Sequence, residues 1–302
     1  MAGTKNTSTQ YYDKKFDEVA LAAGYIEKGR LYSTETGTFQ GNIISPTLLT
    51  VTLSGLESAV KKAAPKEQDK INICIYADDF IITGATREVL EKKVKPALEA
   101  FLQDRGLTLS QEKTKITHID EGFDFLGVNI RKYNGKCIIK PAKSSVKRFL
   151  TEIRESIKAN ATVKTEYLIY LLNPKIRGWG NYYRHICAKE TFAYVGHNIF
   201  LRLWRWVKRR HPNKNMGWIK SKYFRNDKLR NWIFSTKVKD KEGNVSYLDL
   251  VDIAKISIKR HVKLKAAATP YDPQYHEYLD KRLKERSGKR KLPSWWSSLW
   301  NF

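Results

Sequence analysis

Apolar and polar positions along the chain fall into two rhythms, and each rhythm predicts elements. After Ser45-Pro46, Leu48, Val51, Leu53 and Leu56 supply one apolar side and predict a helix over 47–62, ended by Pro65. Residues 71–83 are rich in β-branched and aromatic side chains on both sides of Asp78-Asp79. That pattern predicts two short strands joined by a tight turn at the acidic pair. A charged amphipathic helix is expected over 87–104, closed by Gly106. Strands are expected at 107–109 and 123–130, the second leading to a hairpin turn at Asn134-Gly135.

From residue 142 the rhythm becomes helical. Helices are predicted over 144–158, over 163–172 (stopped by Asn173-Pro174), over 178–185 and over 191–210. In the last, Arg202, Arg205 and Arg209 recur at helical spacing, while Ile199, Leu203 and Trp206 form a separate apolar stripe. Beyond residue 213 the pattern predicts a hairpin around Lys241-Glu242-Gly243-Asn244, a helix over 248–265 and a basic helix ending near Arg286. The basic run Ser287-Gly288-Lys289-Arg290-Lys291 reads as a tail before a Trp-rich end. Strands and helices in separate stretches make an α+β fold.

Charge narrows the function. Lys and Arg number 56 against 31 Asp and Glu, a formal +25, with a pI near 9.8. Such an excess repels itself unless a polyanion balances it, and nucleic acid is the expected partner. An arginine face on a helix suits phosphate contact, and equally suits a solvated surface. The three cysteines, Cys74, Cys137 and Cys187, are too far apart for a CxxC metal site, and Cys74 lies in an apolar run that predicts burial. Sparse cysteines, no apolar leader and no spanning run predict a soluble protein of the cytoplasm or an organellar matrix, neither secreted nor membrane-bound.

The acidic turn carries the candidate chemistry. Two adjacent carboxylates at the tip of a hydrophobic hairpin concentrate negative charge that divalent cations would neutralise. Mg²⁺ favours carboxylate oxygens and leaves positions for phosphates. Two such ions can activate a hydroxyl and stabilise a leaving group in phosphoryl transfer. As a bare tetrapeptide the same turn also fits a solvated loop.

Its neighbours bear on the choice. Ile75-Tyr76-Ala77-Asp78-Asp79-Phe80 resembles the YADD box of group II intron-type reverse transcriptases. Upstream, Gly37-Thr38-Phe39-Gln40-Gly41-Asn42-Ile43-Ile44-Ser45-Pro46 is similar to the family block that lies against template and incoming nucleotide. Downstream, residues 106–116 resemble the next palm block, whose lysine is here Lys113. Gly122-Phe123-Asp124-Phe125-Leu126-Gly127 resembles the primer grip. Ile176-Arg177-Gly178-Trp179-Gly180-Asn181-Tyr182-Tyr183-Arg184 resembles the start of the maturase-specific segment, domain X, and Arg260-His261-Val262-Lys263 with Pro270-Tyr271-Asp272-Pro273 resembles later segments.

The resemblance, which runs from about Leu21 to Arg286, implies a division. It consists of an atypical segment 1–20, a partial palm 21–141, a thumb and domain X 142–225, a basic nucleic-acid-binding region 226–286 and a tail 287–302. It implies Asp78, Asp79 and Lys113 as catalytic, with Asp78 and Asp79 holding Mg²⁺. Gln40, Gly41, Ser45, Pro46, Tyr76 and Ala77 would face nucleotide and template, and Phe125, Leu126 and Gly127 the primer. Arg177, Arg184, Arg202, Arg205 and Arg209 would contact RNA. The implied activity is RNA-directed DNA synthesis coupled to splicing of intron RNA, on a DNA primer and template.

Two departures qualify this. Phe39 and Asn42 replace the family's usual Pro and Gly. The palm aspartate that precedes the Gln-Gly block in the family has no counterpart, since Asp13 and Asp17 lie in a short Lys-flanked stretch. The expectation is therefore a chain lacking fingers and one metal-binding palm carboxylate, weak or inactive as a polymerase by itself, and completed by a separate polypeptide. A non-enzymatic intron RNA-binding splicing factor is the alternative, and a decayed mobile-element fragment a third reading.

Overall fold

The computed structural model describes residues 25–27, 30–32, 45–227, 230–239, 243–261, 264–265, 268–269 and 271–287. It is an α+β chain of helices and antiparallel sheets in two compact units, Met1–His118 and Ile119–Phe302.

In the first unit, β1 (Tyr25–Glu27) pairs with β2 (Arg30–Tyr32). Helices α1 (Ser45–Thr52) and α2 (Leu56–Ala63) follow. The single helix expected over 47–62 is thus two, because Gly55 has φ 87°, which no helix accommodates. Strands β3 (Asn72–Tyr76) and β4 (Asp79–Thr83) form the expected hairpin. Arg87–Val89, a π-helical turn Leu90–Val94 and α3 (Lys95–Gln103) then run on without a break, and Gly106 follows at φ 68°. Leu56, Val60, Val94, Leu98, Phe101 and Leu102 make the core of this unit. Leu107 and Leu109 pack on that core, but no strand forms at 107–109.

The second unit opens with a meander, β5 (Phe123–Phe125), β6 (Val128–Tyr133) and β7 (Lys136–Pro141), in the order β5-β6-β7. Asn134 and Gly135 turn β6 into β7 with φ 46° and 81°, as the Asn-Gly pair predicts. Helices α4 (Lys143–Ala159), α5 (Thr165–Tyr183) and α6 (Lys189–Arg210) carry most of the core. Ile199, Leu203 and Trp206 are buried, as the apolar stripe predicts. Helix α7 (Met216–Tyr223) leads into a second sheet, β8 (Phe224–Asp227), β9 (Arg230–Lys239) and β10 (Val245–Asp249), with β9 central. Helix α8 (His276–Ser287) matches the expected basic helix.

Three further expectations are corrected. Helix α5 does not stop at Asn173-Pro174, so the two helices of 163–172 and 178–185 are one. Pro174 sits on the exposed side, while Leu172 and Ile176 are fully buried. Their burial outweighs the lost backbone bond of one proline. The described residues of the stretch 248–265 form no helix but the end of β10 and a short 3₁₀ turn, Ile253–Lys255. Its backbone groups are taken by tertiary partners instead. Leu250 N–H donates to Phe234 O at 2.9 Å, and Lys189 Nζ donates to Ala254 O at 2.6 Å. Finally, Cys74 is exposed rather than buried. Among the described residues it lies in a two-stranded hairpin, on a strand where only Ile73 is not exposed.

Candidate active site and nucleic-acid interface

The β3–β4 hairpin is anchored at its base and open at its tip. Ile73 pairs with Ile82, and both pack with Ile71 and Phe80 on the core of the first unit. Towards the tip Tyr76 pairs with Asp79, leaving Ala77 and Asp78 as the two turn residues. Ala77 has φ 52°. A left-handed alanine costs of the order of 1–2 kcal/mol, and such strain concentrates at functional sites. Tyr76 is 63% exposed, and Asp78 and Asp79 are exposed too. Neither carboxylate has a hydrogen-bond or ion-pair partner among the described residues, so both are available to a ligand.

Adjacent carboxylates are the right donors for Mg²⁺, which takes oxygen ligands and retains waters or phosphates in the other positions. Two side chains are nevertheless a thin protein contribution to a two-ion site. Among the described residues no cluster of three or more His, Cys, Asp or Glu could hold a metal ion. The fit is therefore partial: the hairpin offers a metal-facing edge and not a closed cage.

Other predicted residues are placed as follows. Lys113 is exposed in the turn where Thr114 N–H donates to Ser110 O, and it has no ion-pair partner among the described residues. Ser45 and Pro46 begin α1, Ser45 half-buried and Pro46 exposed. Gln40 and Gly41 lie outside the described residues.

Phe125, Leu126 and Gly127 do lie together, at the turn from β5 to β6, with φ 48° at Leu126 and 75° at Gly127. Two tyrosines of α5 hold this turn. Tyr182 Oη donates to Leu126 O at 2.7 Å, and Tyr183 Oη donates to Gly127 O at 3.0 Å. Ser145 Oγ lies 2.5 Å from Tyr183 Oη. A Cβ on Gly127 would fall 2.8 Å from that phenol oxygen, so only glycine fits. Burial raises the Tyr183 pKa, and the Ser145 hydrogen bond partly offsets it. Residues 125–127 and 181–184, separate blocks in the sequence, are thus one structure.

The arginines divide into two groups. Arg177, Arg205 and Arg209 are exposed and have no partner among the described residues; Arg202, on α6 with Arg205 and Arg209, is half-buried and likewise unpaired among them. Arg202 also lines a cavity of about 650 Å³ between α4 and α6, with Lys143, Lys147 and Arg154. Arg184 is engaged, its Nε donating to Ser257 O at 3.3 Å and its Nη2 to Ser257 Oγ at 3.1 Å. His185 and His261 stack beside it, centroids 3.6 Å apart. The sequence pointed neither to Ser145 nor to the partners of the buried Asn173, which it marked only as a helix stop. A serine inside an amphipathic helix and an Asn before a Pro carry no signal of a distant partner. No described helix is long and apolar enough to cross a membrane.

Comparison with known proteins adds two family matches. Residues 6–130 match "Reverse transcriptase (RNA-dependent DNA polymerase)", and residues 146–224 match "Group II intron, maturase-specific domain". The chain is 28% identical to Protein YkfC of Escherichia coli (strain K12), the match covering 35% of each protein. It is 24% identical to the Group II intron-encoded protein LtrA of Lactococcus lactis subsp. cremoris, over 54% of this chain and 42% of that one. A 26% match to the Ribosomal operon-associated A protein of Euglena longa covers 42% of this chain and 25% of that protein. The chain thus spans well under half the length of these curated relatives.

Proposed function

Since the chain belongs to the group II intron-encoded reverse transcriptase/maturase family, we propose that it contributes the Asp78-Asp79 edge of a Mg²⁺-dependent polymerase site and an RNA-binding maturase domain. What carries the reading is the hairpin tip, with its two exposed, unpaired carboxylates beside a strained Ala77. Bound there, Mg²⁺ would supply charge neutralisation for phosphoryl transfer on a DNA primer and RNA template. Asp78 and Asp79 would hold the ion, and Tyr76 and Ala77 would border the incoming nucleotide with Ser45, Pro46, Gln40 and Gly41. Lys113 would serve the triphosphate.

In this reading a further carboxylate comes from polypeptide beyond these 302 residues, as does the fingers region. The turn Phe125–Gly127, held by Tyr182 and Tyr183, would support the primer end. Arg177, Arg202, Arg205 and Arg209 would meet phosphates of intron RNA. Arg184 would act through the segment around Ser257 that it holds.

The test is Mg²⁺-dependent primer extension by the chain alone and with a polypeptide supplying fingers and a palm aspartate. Extension is expected only with the complement, and Asp78→Ala should abolish it. Extension that survives Asp78→Ala would remove the hairpin from the mechanism. A second reading, splicing-factor function through RNA binding alone, is favoured by the unpaired arginines. It predicts intron binding without extension under either condition.

A further inference from the structure

Helix α5 has one side that its own fold does not explain. Leu168, Ile169, Leu172, Asn173, Ile176, Gly180 and Tyr183 are buried. The opposite side presents Tyr167, Tyr170, Pro174, Arg177, Gly178 and Asn181, all exposed, with Tyr167 at 56% and Tyr170 at 55%. At helical spacing these six form one continuous stripe. It carries no carboxylate, and its only charge, Arg177, has no partner among the described residues. The exposed side of α4, by contrast, is the usual mixture of Lys, Arg and Glu.

Two residues on this stripe, Pro174 and Gly178, oppose helix formation. Gly178 has helical backbone, and nothing lies within 4 Å of where its Cβ would be. An exposed helical glycine costs up to about 1 kcal/mol relative to alanine. Pro174, one turn earlier, removes the N–H that would bond the Tyr170 carbonyl. The outcome is a smooth surface where another backbone can approach the helix axis. Beside it lie an acceptor carbonyl lacking its helical donor, two tyrosine rings and a free guanidinium.

Resting on the RNA-binding reading of this unit, we propose that the Tyr167-Tyr170-Pro174-Arg177-Gly178-Asn181 side of α5 docks the sugar-phosphate backbone of RNA, with closest approach at Gly178. Charge complementarity selects the partner: an unpaired Arg177 and no acid on the stripe, in a chain of net +25. Arg177 meets a phosphate. The Tyr170 carbonyl accepts from a ribose 2′-hydroxyl, the group that separates RNA from DNA at a contact. Gly178 admits the sugar edge that a side chain would hold off.

The test uses the full chain, a fluorescently labelled RNA hairpin and the DNA hairpin of the same sequence. Gly178→Ala should raise the melting temperature, because alanine favours the helix, yet weaken RNA-hairpin binding about tenfold. It should leave the salt slope unchanged and reduce discrimination against the DNA hairpin. Arg177→Gln should lower the slope of log K against log salt by about 1. If the unchanged chain binds neither hairpin, the RNA-binding reading itself fails. If it binds RNA and Gly178→Ala binds equally well, this inference alone fails. It also fails if the chain is a dimer that Gly178→Ala converts to a monomer, which would make the stripe a self-association surface.

Discussion

Tyr182 in α5 and Leu126 at the tip of β5–β6 are joined by a 2.7 Å hydrogen bond across 56 residues of chain. With its neighbour Tyr183 bonded to Gly127 O, this ties a turn of two left-handed residues to the most buried helix of the second unit. The two bonds differ in setting, since Tyr183 is buried and Tyr182 is exposed. Tyr183→Phe leaves the Ser145 hydroxyl without its phenol partner and the Gly127 carbonyl with the Ala142 N–H alone, and should cost about 1–3 kcal/mol in urea unfolding. Tyr182→Phe should cost at most about 1 kcal/mol, with faster amide exchange confined to the turn around Gly127. Equal costs for the two would mean that burial does not govern this clamp.

Asn173 joins α5 to the end of β10. Its Nδ2 donates to Asp249 O at 3.0 Å, and its Oδ1 accepts from Val251 N–H at 2.8 Å. Asn173→Ala should destabilise the chain by about 1–3 kcal/mol, because the Val251 N–H loses its acceptor beside the core. Asn173→Asp should recover only part, since a carboxylate accepts from Val251 but cannot donate to Asp249 O. Chemical denaturation of both variants checks the order.

Gly180 lies two residues after Gly178 and behaves oppositely. A Cβ there would collide with Ile256 Cδ1 and also meet Ile253. Gly180→Ala should lower the melting temperature despite alanine's better helix propensity, because overpacking costs about 1–3 kcal/mol. The double change with Ile256→Val should recover part of the loss.

His211 gives a pH signature. Its Nε2 lies 2.7 Å from Tyr223 Oη, and its ring packs on Trp218 and Tyr223. Loss of water lowers its pKa from the ordinary 6.5, and the cations of Lys222, Arg210 and Lys214 lower it further. A depressed pKa means the folded state favours the neutral ring. Its contribution is thus fully present above about pH 6.5 and lost as pH falls through the lower folded value. The melting temperature should therefore fall below about pH 6.5 more steeply than in His211→Gln, by thermal melts across pH 5–8.

Salt should govern RNA binding by the second unit. If Arg177, Arg202, Arg205 and Arg209 each meet a phosphate, log K against log salt has a slope of about −3 to −4. Fluorescence anisotropy over a salt series measures it, and tight binding indifferent to salt would contradict the phosphate-contact account.

Local signals in the sequence were sufficient for what depends on neighbours. The acidic hairpin at 76–79, the Asn134-Gly135 turn, the long helix closed before Gly106 and the buried stripe of Ile199, Leu203 and Trp206 are written in spacing and turn chemistry. So are the motif blocks that place the chain in its family. Tertiary structure decided the elements whose backbone partners lie far away. Helix α5 continues through Pro174 because Leu172 and Ile176 are buried around it. The stretch after β10 is not an α-helix because Asn173, Arg184 and Lys189 take its amide and carbonyl groups. Composition pointed to a polyanionic partner. Only the fold shows that Arg184 is engaged while Arg177 is not, because pairing depends on which chain segment packs against which face, and helical spacing does not encode that.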